Sequence, residues 1–342
     1  MNKVAINGFG RIGRMVLRSI IEKKTKGIKV VAINNRADSG TSAFLLEKDS
    51  IHGNLDASIQ FDKKSITVNG QKIILFNEND PTNLPWKKLG IDTVFECTGK
   101  FNSKEQSSKH LTAGAKRVLV SAPCKNADQT IVYGVNEKKI KAKDKIISVA
   151  SCTTNCLAPL AYVMDKNFSI ERGYMTTIHS YTSDQRLLDN SHKDLRRARS
   201  APNTIVPTST GAAKSLSLIL PSLKNKLDGI SIRVPTPNVS LVQLSFTAKR
   251  KVNERSINLA LKKASKTYLK NILGVTDQPL VSSDFNHDPR SSIVDTLLTK
   301  VVDHKIATVF AWYDNEWGFS KRMVEMGLYI DQMASISLKE TA

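Results

Sequence analysis

The sequence predicts an α/β protein with an N-terminal Rossmann-type parallel-sheet domain and a C-terminal α+β catalytic domain whose sheet is mainly antiparallel. Three observations carry this. A strand runs into a glycine-rich turn and a helix at the N-terminus, short apolar runs alternate with helical segments up to residue 150, and longer strands take over beyond Cys152. The chain has 342 residues, more than one hydrophobic core usually serves, so two domains are expected. The expected boundaries are 1–150 for the first and 151–316 for the second. A C-terminal helix of about 317–335 is expected to pack back on the first.

In the first domain, strand Val4 to Ile6 meets Gly8-Phe-Gly-Arg-Ile-Gly13. A helix from Arg11 to Lys23 follows, with Met15, Val16, Ile20 and Ile21 on its apolar face, and strand Ile28 to Ile33 closes a βαβ unit. Asn69-Gly70 between Ser65–Val68 and Lys72–Phe76 signals a hairpin. Buried strands are expected at Asp92–Glu96, Arg117–Val120 and Ile146–Val149. In the second domain, strands are expected near Gly229–Val234, Val239–Lys249, Asp295–Val302 and Ile306–Trp312. Helices read at Gly211–Leu218, Glu254–Lys266 and Trp317–Ile330. Tyr181 to Pro202 is polar, basic and weakly periodic, a loop long enough to suggest a functional or interfacial role.

Composition narrows the class. Apolar residues make up 40% and charged residues 24%, as in folded soluble proteins. Four cysteines do not suggest a disulfide framework. With no apolar leader before Val4 and no apolar run long enough to cross a bilayer, a cytoplasmic location without membrane association is expected. The net charge of +20 is spread over pairs such as Lys23-Lys24, Lys138-Lys139 and Lys262-Lys263. No stacking aromatics accompany them, so nucleic acid is expected only as a secondary partner.

The Gly-x-Gly-x-x-Gly turn has the strand–helix context that a dinucleotide site needs. Gly8 permits the tight turn, Gly10 lets backbone approach a pyrophosphate, and Gly13 allows helix and strand to touch. The second strand ends in Asn34-Asn35-Arg36 rather than an acid. Asn35 would not repel a 2′-phosphate and Arg36 can pair with one, so the cofactor is expected to be NADP or NAD with NADP favoured; Asp38 is the substitute acid if NAD is used.

Cys152 lies where a short apolar strand turns into a helix, a position whose dipole favours thiolate. A second strand, Met175-Thr-Thr-Ile-His-Ser180, ends in His179, and the two side chains can meet to give covalent catalysis through sulfur. Cys97, Cys124 and Cys156 read as buried hydrophobes. No metal site is expected. Asp284, His287 and Asp288 read as a turn before Pro289.

Together these segments resemble the phosphorylating glyceraldehyde-3-phosphate dehydrogenases over essentially the whole chain. The matching blocks include Ile6-Asn-Gly-Phe-Gly-Arg-Ile-Gly13, Ser151-Cys-Thr-Thr-Asn-Cys156, His179-Ser-Tyr-Thr182 and Asp194-Leu-Arg-Arg-Ala-Arg199. Further blocks are Pro207-Thr-Ser-Thr-Gly-Ala-Ala-Lys214, Arg233-Val-Pro-Thr-Pro-Asn238 and Trp312-Tyr-Asp-Asn-Glu-Trp317. The resemblance implies reversible oxidation of glyceraldehyde 3-phosphate, a phosphorylated aldehyde, with inorganic phosphate, through a thiohemiacetal and a thioacyl enzyme on Cys152. His179 would lower the thiol pKa and act as the base.

The resemblance also assigns binding roles. Thr182 and Arg233 would hold the substrate phosphate, and Ser151, Thr153, Arg197, Thr210 and Gly211 the attacking phosphate. Gly8, Gly10, Arg11, Ile12, Asn35, Arg36, Ser121, Ser191 and Asn315 would hold the cofactor, with Asn315 on the nicotinamide carboxamide. It implies a homotetramer in which Ser191 reaches a neighbour's 2′-phosphate. Val149 departs from the family's usual asparagine, which bears on the local turn. The alternatives are a hydrolytic erythrose-4-phosphate dehydrogenase, against which the intact Thr208-Ser-Thr-Gly211 segment argues, and a basic binding protein on the same fold.

Overall fold

In the computed structural model the backbone is described for residues 1–340 and side chains as far as residue 333. The chain divides into two units: one comprises Met1–Tyr133, Glu137–Ala150 and Ser320 onward, the other Gly134–Asn136 and Ser151–Phe319.

The first unit is α/β. Its elements in order are β1 (Asn2–Asn7), α1 (Arg11–Glu22), β2 (Ile28–Asn34), α2 (Ser39–Glu47), β3 (Ile59–Asp62), β4 (Ser65–Val68) and β5 (Gln71–Phe76). Then come α3 (Trp86–Leu89), β6 (Thr93–Glu96), α4 (Lys104–Thr112), β7 (Arg117–Val120), β8 (Gln129–Thr130) and β9 (Ile146–Ser148). They form a nine-stranded sheet in the order β3-β4-β5-β2-β1-β6-β7-β9-β8. Only β3, β4 and β5 pair antiparallel; Asn69 and Gly70 both take positive φ in the two-residue turn between β4 and β5. β1 pairs in parallel with β2 on one side and β6 on the other, so the sheet order reverses beside its carboxyl end. That is the crevice position for ligands in open sheets.

Beneath that edge lies a sealed polar chain. Trp86 Nε1 donates to His110 Nδ1 (3.1 Å), so the other ring nitrogen carries the proton and donates to Glu96 (3.0 Å). Glu96 also accepts from Asn7 Nδ2 (2.6 Å) and from the Thr98 N–H (2.8 Å), and Asn34 Nδ2 donates to Asn7 (2.7 Å). A buried carboxylate is tolerated only when it is satisfied this fully.

The second unit holds α5 (Cys152–Phe168), β10 (Ile170–Ser180), β11 (Val206–Ser209), α6 (Ala212–Ile219), β12 (Leu227–Val234) and β13 (Ser240–Ala248). It continues with α7 (Glu254–Lys266), β14 (Leu273–Thr276), β15 (Ser292–Val302) and β16 (Ile306–Tyr313). The seven strands run β11-β12-β10-β13-β16-β15-β14. β10 with β12 and β14 with β15 are parallel; the other pairings are antiparallel. β13 alternates buried and half-buried residues, and its apolar face packs on α5, which is buried over most of its length. Tyr181 to Pro202 carries turns and little regular structure.

The last helix, α8 (Trp317–Glu340), begins in the second unit and belongs to the first from Ser320 on. There Asn2 Nδ2 donates to the Gly327 carbonyl (2.9 Å), and a Cβ on Gly327 would come within 2.7 Å of the Phe95 ring.

Candidate active site

In the first unit the glycines behave as their spacing demands. Gly8 has φ +92 and a Cβ there would lie 2.7 Å from the Thr98 nitrogen, so only glycine makes the turn. A Cβ on Gly10 would meet nothing within 4 Å, and α1 has no side-chain cap. Arg11 and Ile12 open that helix, so their backbone N–H groups face an open, positively polarised end suited to pyrophosphate. The Arg11 guanidinium itself pairs with Asp49, whose carboxyl it holds well below the usual range against the opposing effect of burial. At Gly13 a Cβ would stand 2.1 Å from the Gly8 carbonyl oxygen. Gly13→Ala is therefore expected to push α1 off the turn and destabilise the protein by roughly 2–4 kcal/mol, read as a lower denaturation midpoint.

A cleft of about 240 Å³ opens at the ends of these strands, lined by Gly8, Asn35, Arg36, Asn79, Thr98 and Lys100 among others. Asn35 donates to Ser42 (3.2 Å) and Arg36 to Asn79 (2.9 Å). Lys100 adds a second cation that the sequence reading missed, since nothing in its local pattern places it opposite Arg36. Asp38 stands exposed at the start of α2. Its carboxylate caps α2, accepting from the Thr41 N–H and hydroxyl at 2.8 Å each. Ser121 sits just past β7, its N–H bonded to the Glu96 carbonyl (3.0 Å).

In the second unit, Ser151 is the N-cap of α5, accepting from the Thr154 N–H (3.1 Å), and this sets Cys152 as the first helical residue. Cys152 Sγ lies 3.5 Å from His179 Nε2. β10 delivers His179, and its parallel register with β12 sets Arg233 directly opposite. His179 Nδ1 lies 2.7 Å from the Ser180 carbonyl; a proton on Nδ1 is accepted there and presents Nε2 to the sulfur as a base. Arg233 Nη1 stands 2.8 Å from the same Nδ1 and donates to the same carbonyl (3.0 Å).

The electrostatics correct one expectation. The helix start and the histidine were expected to favour thiolate, yet burial outweighs them and pushes the Cys152 thiol up, against the lowering effect of Arg233. Burial, reinforced by Arg233, pushes His179 down to about 3. Burial thus favours the uncharged form of both groups in this geometry. Because Arg233 lowers both groups, Arg233→Ala is expected to shift the pH profile of Cys152 alkylation by iodoacetamide to higher pH. A profile that stays put or moves to lower pH would contradict this.

Further polar groups gather on this unit. Arg197 donates from Nε to Thr208 (2.9 Å) and from Nη2 to the Ser209 carbonyl (3.2 Å), and pairs with Asp184 through Nη1. Thr210 Oγ1 accepts from the Ala212 N–H (3.2 Å), and Gly211, with open space where a Cβ would be, precedes α6. The Thr153 hydroxyl is buried 2.9 Å from the Tyr313 hydroxyl and acts to lower the Cys152 thiol. Thr182 lines a cavity of about 200 Å³ with Gln185, whose buried amide finds no partner among the described residues. Arg233 Nε is likewise buried and unpartnered, as expected of a group awaiting an anion. Asp184 and Gln185 were missed by the sequence reading because only the folded loop brings them to Arg197 and Thr182.

Asn315 follows β16 and is buried, its amide held by Ser180 and Ser240. Ser191 lies exposed on the long loop, its N–H and hydroxyl against Asn190, and no described contact joins it to the other site residues. Asp284, His287 and Asp288 diverge. Asp284 accepts from the Val281 N–H, His287 stacks on Trp317 at 3.6 Å, and Asp288 pairs with Arg290. Cys156 is buried against Ser292 and the Ala311 carbonyl. Among the described residues no helix is long and apolar enough to cross a membrane.

Comparison with known proteins converges with this geometry. Residues 2–104 match the family model for the glyceraldehyde 3-phosphate dehydrogenase NAD binding domain, and residues 151–315 that for the C-terminal domain of the same enzymes. The chain is 54% identical over 325 residues to the glyceraldehyde-3-phosphate dehydrogenase of Zymomonas mobilis, covering 94% of this chain and 96% of that protein. It is 53% identical over 329 residues to that of Geobacillus stearothermophilus (96% and 98% covered) and 52% over 331 residues to that of Xanthobacter flavus (97% and 99%). With both family models matched in order and half of all residues shared along almost the full length, the chain belongs to the glyceraldehyde-3-phosphate dehydrogenase family.

Proposed function

We propose that this protein catalyses the reversible, phosphorylating oxidation of glyceraldehyde 3-phosphate to 1,3-bisphosphoglycerate. The observation that carries the reading is Cys152 Sγ at 3.5 Å from His179 Nε2, with Arg233 against the other ring nitrogen. As sulfur attacks the aldehyde carbon, the thiol proton passes to His179 Nε2, and the Cys152 N–H at the helix start steadies the developing oxyanion. The imidazolium returns its proton to that oxygen, giving the hemithioacetal. His179 then removes the hydroxyl proton as the C–H electron pair leaves as hydride. A bound nicotinamide supplies the hydride acceptor. In the last step phosphate attacks the thioester, the thiolate leaves, and His179 reprotonates it.

Arg233, with its unpartnered Nε, and Thr182 would hold the substrate phosphate. Arg197, Thr210, Gly211, Ser151 and Thr153 would hold the attacking one, the remaining guanidinium protons of Arg197 serving as a charged fork. The uncapped start of α1 and the open face of Gly10 suit the cofactor pyrophosphate, and Asn315 suits the carboxamide. Asn35, Arg36 and Lys100 form a neutral-to-basic cleft end, which favours NADP. We expect the active form to be a homotetramer with Ser191 at a neighbour's cofactor.

The test is steady-state oxidation of glyceraldehyde 3-phosphate with NAD and NADP compared, with and without phosphate. We expect turnover to collapse without phosphate and kcat/KM to be higher with NADP. Phosphate-independent turnover would instead place the chain with hydrolytic aldehyde dehydrogenases of this fold. A clear NAD preference would reverse the reading of Asn35 and Arg36.

A further inference from the structure

Asn315 is 6% exposed, yet only one end of its amide is used. Its oxygen accepts from two hydroxyls, Ser180 Oγ at 2.8 Å and Ser240 Oγ at 2.9 Å. Both serines are sealed from solvent, so water does not compete for them. The Ser180 N–H occupies a lone pair of the Ser240 oxygen at 3.1 Å, which leaves the Ser240 proton for Asn315. In this arrangement the amide oxygen points inward between the two hydroxyls and Nδ2 points outward. Nδ2 has no hydrogen-bond partner among the described residues. A nearly buried amide with its acceptor saturated and its donor unspent is a receptor for a carbonyl oxygen.

We propose that Ser180 and Ser240 are positioning residues that lock the Asn315 amide so that its Nδ2 donates to the carboxamide oxygen of the nicotinamide. The inference rests on the cofactor reading above and deepens it. Holding the carboxamide by one fixed donor prevents the ring from turning over, so the pair of serines selects the face that receives hydride. Ser180 has a second, separable task. Its backbone carbonyl takes the His179 Nδ1 proton (2.7 Å) and a bond from Arg233 (3.0 Å). An alanine at Ser180 keeps that carbonyl and loses only the hold on Asn315, so the cofactor side can be loosened while the sulfur side stays as it is.

The test uses the full chain and three variants: Ser240→Ala, Ser180→Ala/Ser240→Ala and Ser240→Thr. NADH affinity is measured by fluorescence titration, and the face of transfer by NMR of the reduced cofactor after turnover of C1-deuterated glyceraldehyde 3-phosphate. Each lost hydroxyl is expected to weaken NADH roughly fivefold, and the double variant is expected to place label on both faces. The threonine, which keeps the hydroxyl, should transfer to one face like the parent, and alkylation of Cys152 without cofactor should proceed at the parental rate in all. Parental affinity and single-face transfer in the double variant would overturn the proposal. If the double variant does not fold, Ser240→Ala alone decides by its affinity, a parental value overturning it. If the parent itself binds neither NADH nor NADPH and transfers no hydride, the functional reading fails first and takes this inference with it.

Discussion

Cys152→Ala is expected to lower kcat/KM for glyceraldehyde 3-phosphate by about four orders of magnitude or more. Nothing else near His179 can replace the sulfur. Cys156, a turn further along α5, is buried against Ser292 and the Ala311 carbonyl, and the Thr153 hydroxyl is engaged by Tyr313. The loss should fall on the chemistry alone. Alanine suits the first turn of a helix, Ser151 still caps α5, and the first unit is untouched, so the denaturation midpoint and NADH binding should stay near the parental values. Rate assays beside a melting curve make the distinction. Retention of more than about a tenth of the activity in a folded variant would mean that the aldehyde is not oxidised through Cys152.

His179→Asn carries the second largest effect, a loss of about 10²–10⁴-fold in kcat/KM. Asparagine can still donate to the Ser180 carbonyl but cannot take up a proton, so both the formation and the oxidation of the hemithioacetal slow. A second readout separates this role from a purely structural one. His179 is held neutral down to about 3, whereas in the unfolded chain it protonates near about 6.5. Between those values the unfolded state binds the extra proton, so the parent loses stability from this site as pH falls through that window. The asparagine variant has no such proton to bind. Relative to the parent it should gain stability between pH 7 and pH 4, measured by denaturant titration at each pH. A constant difference across that range would contradict a buried neutral imidazole.

Much of the fold is legible in the sequence where apolar period and turn chemistry agree. The strand before Gly8, the Asn69-Gly70 turn and the alternating face of β13 are local signals that the tertiary structure obeys. α4 is not legible in that way, because the residues it buries are Ser107 and His110, so no apolar stripe marks it. Its Ser103 cap, with Gln106 three residues on, was the available clue. In α2 the apolar residues are contiguous rather than spaced, and Phe44 remains exposed. β14 is short and pairs only with β15.

The site divides along the same line. Cys152 and His179 are readable because each terminates or opens a regular element. Arg233 becomes a neighbour of His179 only through the register of β10 on β12, and Asp184 meets Arg197 only within the folded loop. The direction of the thiol's pKa was misjudged for a similar reason. Helix polarity can be read from a sequence, but how far the folded chain strips water from the sulfur cannot.

The division of the chain has a consequence for how the protein is made. The first unit begins at Met1 but is completed by the segment from Ser320 on, and Gly327 of that segment seats against Asn2 and Phe95. A ribosome therefore releases β1, β2 and β6 well before the helical segment around Gly327 that packs on them. Until then the faces of Phe95 and Ile28 that receive Gly327 stay open, in a chain that is already long enough to aggregate. The second unit, synthesised in the interval, is continuous from Ser151 to Phe319 apart from three residues, Gly134–Asn136, made shortly before it. The second unit can thus mature before the first is closed, and loss of the segment around Gly327 would harm the packing at Asn2 and Phe95 first.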